Sequence, residues 1–149
     1  MAISRNMSKN YTDTELEDWL YKITARFYEL AYQDPWLGEV FKVVPQEFIT
    51  AQQTDFMLSL FGGPKRYSGR HATDAHPHIF INEEMWQQRE NILRRALQEV
   101  SAPQDIAEKW LKIDEAFKKS IVMKDPSECK RRFPTDDLII VPNPCRKVA

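Results

Sequence analysis

Phe61-Gly62-Gly63-Pro64-Lys65-Arg66-Tyr67-Ser68-Gly69, followed by Ala75-His76-Pro77-His78-Ile79-Phe80-Ile81, is the stretch on which the fold turns. Two glycines that tolerate left-handed backbone, then a proline that cannot continue the hydrogen-bond ladder, predict a hard helix stop. Beyond it the chain turns through Tyr67 to Gly69 and presents His71, His76 and His78, the protein's 3 histidines. Helical patterns stand on both sides. Imidazoles gathered beside one glycine-punctuated turn point to a metal or a cofactor.

Upstream, Thr14-x-x-Glu17 has the spacing of a capping box and predicts a helix start. Apolar residues recur behind it at Leu16, Trp19, Leu20, Ile23, Phe27, Leu30 and Ala31, helical spacing over about five turns. Asp34-Pro35 ends that helix, and Trp36, Leu37, Val40 and Phe41 form an apolar corner before Pro45. From Gln46 a second stripe runs through Phe48, Ile49, Phe56, Met57, Leu60 and Phe61, interrupted by Gln53. A glutamine there either reaches water at the stripe's edge or needs buried partners for its amide.

Downstream, Asn82 caps a third helix with Glu83 and Glu84 in its first turn. Its apolar side reads Met85, Trp86, Ile92, Leu93, Ala96, Leu97 and Val100, with Arg89 set inside it. An arginine in that place snorkels to the surface or meets a buried anion. Ser101-Ala102-Pro103-Gln104 predicts another capping box, and Ile106, Trp110, Ile113, Phe117 and Ile121 then mark a fourth amphipathic helix. Past Met123 the chain becomes charged and loop-like. Leu138-Ile139-Ile140-Val141, bracketed by prolines, reads as an extended segment packing back on the helices, since a lone strand has no partner.

With 149 residues the chain suits one all-α domain with a real core. Its 21 basic and 22 acidic residues leave no field favouring nucleic acid or an anionic membrane. No stretch approaches the roughly 20 apolar residues of a membrane span, and the start lacks a secretory apolar run. Cys129 and Cys145 make no disulfide framework, so a reduced, cytoplasmic protein is expected.

In order and spacing, several of these features resemble the truncated haemoglobins, shortened globins built as a two-over-two helical sandwich. The carriers are Phe27-Tyr28, Asp34-Pro35, Phe41, Gln53, Gly62-Gly63-Pro64, Tyr67-Ser68-Gly69, and Ala75-His76 with Ile81 five residues beyond. The family's first group is the nearest, with an aliphatic at Ile49 beside Tyr28 and Gln53. The resemblance implies a truncated globin domain over 13–123; it does not reach the termini, where the polar, aperiodic residues 1–12 read as a flexible arm and residues 124–149 as an appended extension. It also implies haem b, with His76 as the axial ligand of the iron.

By residue type alone His76 and His78 compete evenly for that role; the spacing to Ile81 chooses His76 through the resemblance. His78, past a proline, is expected to point elsewhere, and His71 to be solvated. The resemblance further sets Phe41, Phe56 and Trp86 against the porphyrin, and Tyr67 with Arg66 or Arg70 near its propionates. Tyr28, Ile49 and Gln53 would face the open side of the iron, where a phenol and an amide favour a ligand that bears charge. Arg89 departs from the family pattern; facing the pocket, its cation could bind a propionate or an anion above the iron.

The same resemblance implies binding of dioxygen, nitric oxide and carbon monoxide, with nitric oxide detoxification or peroxidase-like chemistry beside it. An unidentified reductase and a monomer or weak dimer complete that expectation. Two other readings remain open on the residues: a non-haem metal site built from His71, His76 and His78, and a helical module that binds a protein through Leu138–Val141.

Overall fold

The structure is a computed structural model and describes residues 10–70 and 72–144. The N-terminal arm over 1–12 falls largely outside them, as do His71 and Cys145. In chain order the helices are α1 (Asp13–Gln33), α2 (Leu37–Phe41), α3 (Gln46–Leu60), α4 (Ala72–Ala75), α5 (Glu83–Glu99) and α6 (Gln104–Ile121). A 3-10 turn, Pro126–Glu128, follows. No named strand occurs among the described residues. No helix of theirs is long and apolar enough to cross a membrane.

Helix α1 is the hub, packing on α2, α3 and α5. Its stripe of Leu16, Leu20, Ile23, Phe27 and Ala31 is buried against Met57, Leu58 and Phe61 of the α3 end and Leu93 and Ala96 of α5. Its start lies two residues before the sequence expectation. Thr12 is the cap, accepting from the Glu15 N–H at 3.1 Å while the Glu15 carboxylate accepts from the Thr12 N–H at 2.8 Å. Thr12-x-x-Glu15 and Thr14-x-x-Glu17 satisfy the same pattern. The earlier one adds two helical residues and places Asp13 and Glu15 at the positive end of the dipole.

The glycine pair stops α3 as expected. Gly62 takes φ 90°, the Gly62 N–H donates to the Ser59 carbonyl at 3.2 Å, and the Gly63 N–H donates to the Leu58 carbonyl at 2.9 Å. This is a Schellman cap, which needs left-handed backbone at the first glycine. A Cβ on Gly63 would stand 2.6 Å from Leu58 Cδ1, so the second glycine serves close packing.

Helix α5 ends in the same motif built without glycine. Ser101 takes φ 55°, its N–H donates to the Gln98 carbonyl at 3.0 Å, and the Ala102 N–H donates to the Leu97 carbonyl at 3.0 Å. Ser101 therefore closes α5 instead of capping α6. The α6 start falls to Pro103, which offers no side-chain hydrogen bond. The Tyr11 hydroxyl reinforces that end, donating to Asp105 Oδ1 at 2.7 Å.

The extension folds back on the turn after α4. Ile139 and Ile79 form an isolated parallel bridge, the Ile139 N–H donating to the His78 carbonyl and the Phe80 N–H to the Ile139 carbonyl, both at 2.8 Å. The Trp36 indole N–H donates to the Val141 carbonyl at 2.9 Å and ties the extension to the α1–α2 corner.

Candidate functional site

Between α1, α3, α5, α6 and the turn after α4 lies a cavity of about 350 Å³. Its size suits a small-molecule or cofactor site. Tyr28, Phe41, Ile49, Gln53, Phe56, Tyr67, His76, Trp86 and Arg89 all line it. Six separate segments thus deliver side chains to one space. Arg66 and Arg70 are not in its wall. Arg66 pairs with Glu17 at 2.7 Å on the surface, and the exposed Arg70 guanidinium lies over the Phe133 ring at 5.7 Å.

Helix α1 delivers Tyr28 on the side that faces α2. Its ring meets Phe27 and Phe41 edge-on, with centroids at 5.0 and 5.5 Å, and Phe41 stacks on Tyr32 at 5.6 Å. Such contacts fix ring positions as well as burying area. Burial, the largest cause, raises the Tyr28 pKa, so its hydroxyl stays protonated and able to donate. Gln53 is half-buried on α3 and turned to the same cavity, so the polar break in that stripe is a cavity residue. Ile113 and Phe117, read in the sequence as stripe, are half-buried cavity wall as well.

Arg89 meets a buried anion. Its guanidinium donates to both oxygens of Asp114 on α6, at 2.5 and 3.1 Å, and lies over the rings of Trp86 at 4.8 Å and Phe27 at 5.5 Å. Burial alone would lower the Arg89 pKa, and the Asp114 carboxylate more than offsets it. Of the two alternatives the sequence offered, Arg89 meets a buried anion, and its cation is a neutralised pair in the cavity wall. Sequence reasoning missed Asp114. The available signal was a carboxylate inside the α6 stripe, between Ile113 and Phe117, matching an arginine inside the α5 stripe.

His76 follows directly on α4 and lines the cavity, half-buried. His78 does so too, which corrects the expectation that it points elsewhere. The Ile79 N–H donates to the His76 carbonyl at 3.0 Å, closing a tight turn over Pro77 and His78. Pro77 sits where a β-turn favours proline, and the reversal brings both imidazoles to one wall. His78 is only 6% exposed. Burial first, and the Arg132 guanidinium second, hold its pKa below the ordinary value. Arg132 and Ile139 of the extension also line the cavity; Ile139 belongs to the segment expected to pack back on the helices, while no local signal announced Arg132.

Among the described residues, no three His, Cys, Asp or Glu side chains gather to hold a metal ion by themselves. His71, the third member of the histidine cluster, lies outside these residues.

Two comparisons bear on the site. A group 1 truncated hemoglobin of Tetrahymena pyriformis is 40% identical to this chain over 50 residues, which is 34% of the chain. That segment spans only 41% of the relative's length. The model of the family described as bacterial-like globin matches residues 11–123. Globins imply a haem cofactor and, in general, haem-based binding of gases.

The cavity fits such a group. Its walls are mainly aromatic and aliphatic, and it holds two imidazoles. The two buried side-chain polar atoms without a partner among the described residues, His78 Nδ1 and Trp110 Nε1, both belong to cavity residues. Buried nitrogens of that kind are costly without a partner. The matches together lean toward group 1 of the truncated hemoglobins. With all four long helices inside the matched span, this chain belongs to the bacterial-like globin family.

Proposed function

We propose that this protein holds haem b and binds diatomic gases, dioxygen, nitric oxide and carbon monoxide, at a His76-ligated iron. One observation carries the proposal: His76 and, from separate helices, Tyr28 and Gln53 line a single aromatic-walled cavity. Haem, when bound, supplies an iron centre that coordinates such gases. His76 would serve as its axial ligand. Phe41, Phe56, Trp86 and Ile49 would pack on the ring and keep water from it. Tyr67, with its hydroxyl held by the Arg70 carbonyl at 2.5 Å, would edge the slot.

Tyr28 and Gln53 would donate hydrogen bonds to a charge-bearing ligand. Each such bond contributes about 1.5–3 kcal/mol, and about 1.4 kcal/mol is tenfold in rate. Two of them would slow the release of dioxygen by roughly two orders of magnitude or more. That suits retention of the gas for nitric oxide removal, with an external reductase, better than its delivery.

The test is the visible spectrum of the purified protein with added haem. A Soret band that His76→Ala abolishes or shifts to a weak-ligand form supports the proposal. An unchanged band in that variant defeats the role of His76, and no band at all defeats haem binding.

A further inference from the structure

The extension lies beyond the residues matched by the globin family, yet it walls the cavity through Arg132 and Ile139. Backbone hydrogen bonds hold it there from two sides. The Lys130 N–H donates to the Pro77 carbonyl and the Ile139 N–H to the His78 carbonyl, each at 2.8 Å. Residues 130–139 thus loop across the turn that bears both cavity histidines. Asp136 closes the loop, accepting from the Arg132 backbone N–H at 2.9 Å, from Nε at 2.8 Å and from Nη2 at 2.9 Å.

Guanidinium carries five N–H donors in a planar fork, and Asp136 takes one from Nε and one from Nη2. Arg132 therefore keeps donors for a second acceptor. In the same cavity His78 is 6% exposed and its Nδ1 has no partner. An arginine with spare donors and a buried, unpartnered imidazole nitrogen suit a group that accepts two N–H bonds, as a carboxylate does. Haem carries two propionate carboxylates, and neither Arg66 nor Arg70 stands in the cavity wall to meet them.

We propose that Arg132 and His78 form a carboxylate-binding corner that takes a haem propionate, making the C-terminal extension part of the cofactor site. The inference rests on the haem reading above. His78 acts here as a hydrogen-bond donor to the ring's periphery, while His76 keeps the axial role.

Haem transfer from the full-length protein to an excess of a haem-scavenging apoprotein tests this, run with free-acid haem and with haem dimethyl ester. Wild type is expected to release the free acid about a hundredfold more slowly than the ester, the scale of two charge-assisted hydrogen bonds. Arg132→Gln and His78→Phe should each shrink that difference, and the double variant erase it, with the ester rate unchanged. Equal release of acid and ester from wild type overturns the corner while haem binding stands. So does a variant that speeds both haems alike, which would make the extension a mere clasp. Should Arg132→Gln fail to fold, the wild-type comparison and His78→Phe still decide. Failure to take up either haem overturns the haem reading itself, and the corner with it.

Discussion

Arg89 on α5 and Asp114 on α6 face each other across the cavity wall, guanidinium fork to carboxylate, at 2.5 and 3.1 Å. Each interrupts an otherwise apolar stripe of its own helix. The pair resolves both interruptions, since each charge supplies the other's partner.

Asp114→Ala should therefore destabilise the protein by about 3 kcal/mol in urea unfolding, because it leaves a cation in the wall without its anion. The low end of the range applies because the Arg89 side chain is still 24% exposed. Replacing both partners, Arg89→Met with Asp114→Leu, should restore stability to within about 1 kcal/mol of wild type. A loss below about 1 kcal/mol in the single variant would show that solvent already screens the pair.

In the haem-loaded protein, Tyr28→Phe should speed dioxygen dissociation about tenfold or more, with Gln53→Leu adding a further increase. Carbon monoxide, which bears less charge, should leave at nearly the wild-type rate. Stopped-flow ligand replacement measures both. Equal acceleration of the two gases would point to a change in access and not to lost hydrogen bonds.

The two Schellman caps give opposite predictions for one kind of substitution. Ser101, at φ 55°, holds a conformation that costs an L-residue about 1–2 kcal/mol and glycine nothing. Ser101→Gly should stabilise the protein by about 0.5–1 kcal/mol after the extra unfolded-state entropy of glycine is counted. Gly62→Ala, at φ 90°, should destabilise it by about 1 kcal/mol or more. Shifts of the same sign in denaturant midpoints would contradict the assignment of these caps.

Alkaline pH should weaken the fold through two tyrosines. Burial first, then the hydrogen bond to Asp105, raises the Tyr11 pKa to about 12, and burial raises that of Tyr28 as well. An unfolded tyrosine ionises near pH 10. A raised folded pKa means stability that is full below about pH 10 and lost as pH climbs toward 12, where the unfolded chain gives up protons that the native state retains. Phenolate absorbance followed beside denaturant midpoints should show these two tyrosines ionising only as the protein unfolds. Ionisation of all tyrosines near pH 10 in the folded state would refute it.

The four long helices were legible because burial of one face imposes a repeat on local sequence, as in Leu16-Leu20-Ile23-Phe27. The α3 stop was legible because Gly62-Gly63-Pro64 restricts the backbone directly. Cap registers were less so: Thr12 and Thr14 offer the same box. Ser101 could end one helix or begin the next, and only packing chose between them.

By itself the sequence determined the helical stripes and the break after α3, because local sterics and periodicity settle these. Tertiary structure alone decided that Arg89 meets Asp114 and that His78 turns inward. It also decided that residues 130–139 close over the Pro77 turn. Those outcomes depend on partners 25 to some 60 positions apart: a side-chain ion pair in the first case, and in the extension backbone hydrogen bonds whose donors and acceptors every residue carries and no local pattern marks.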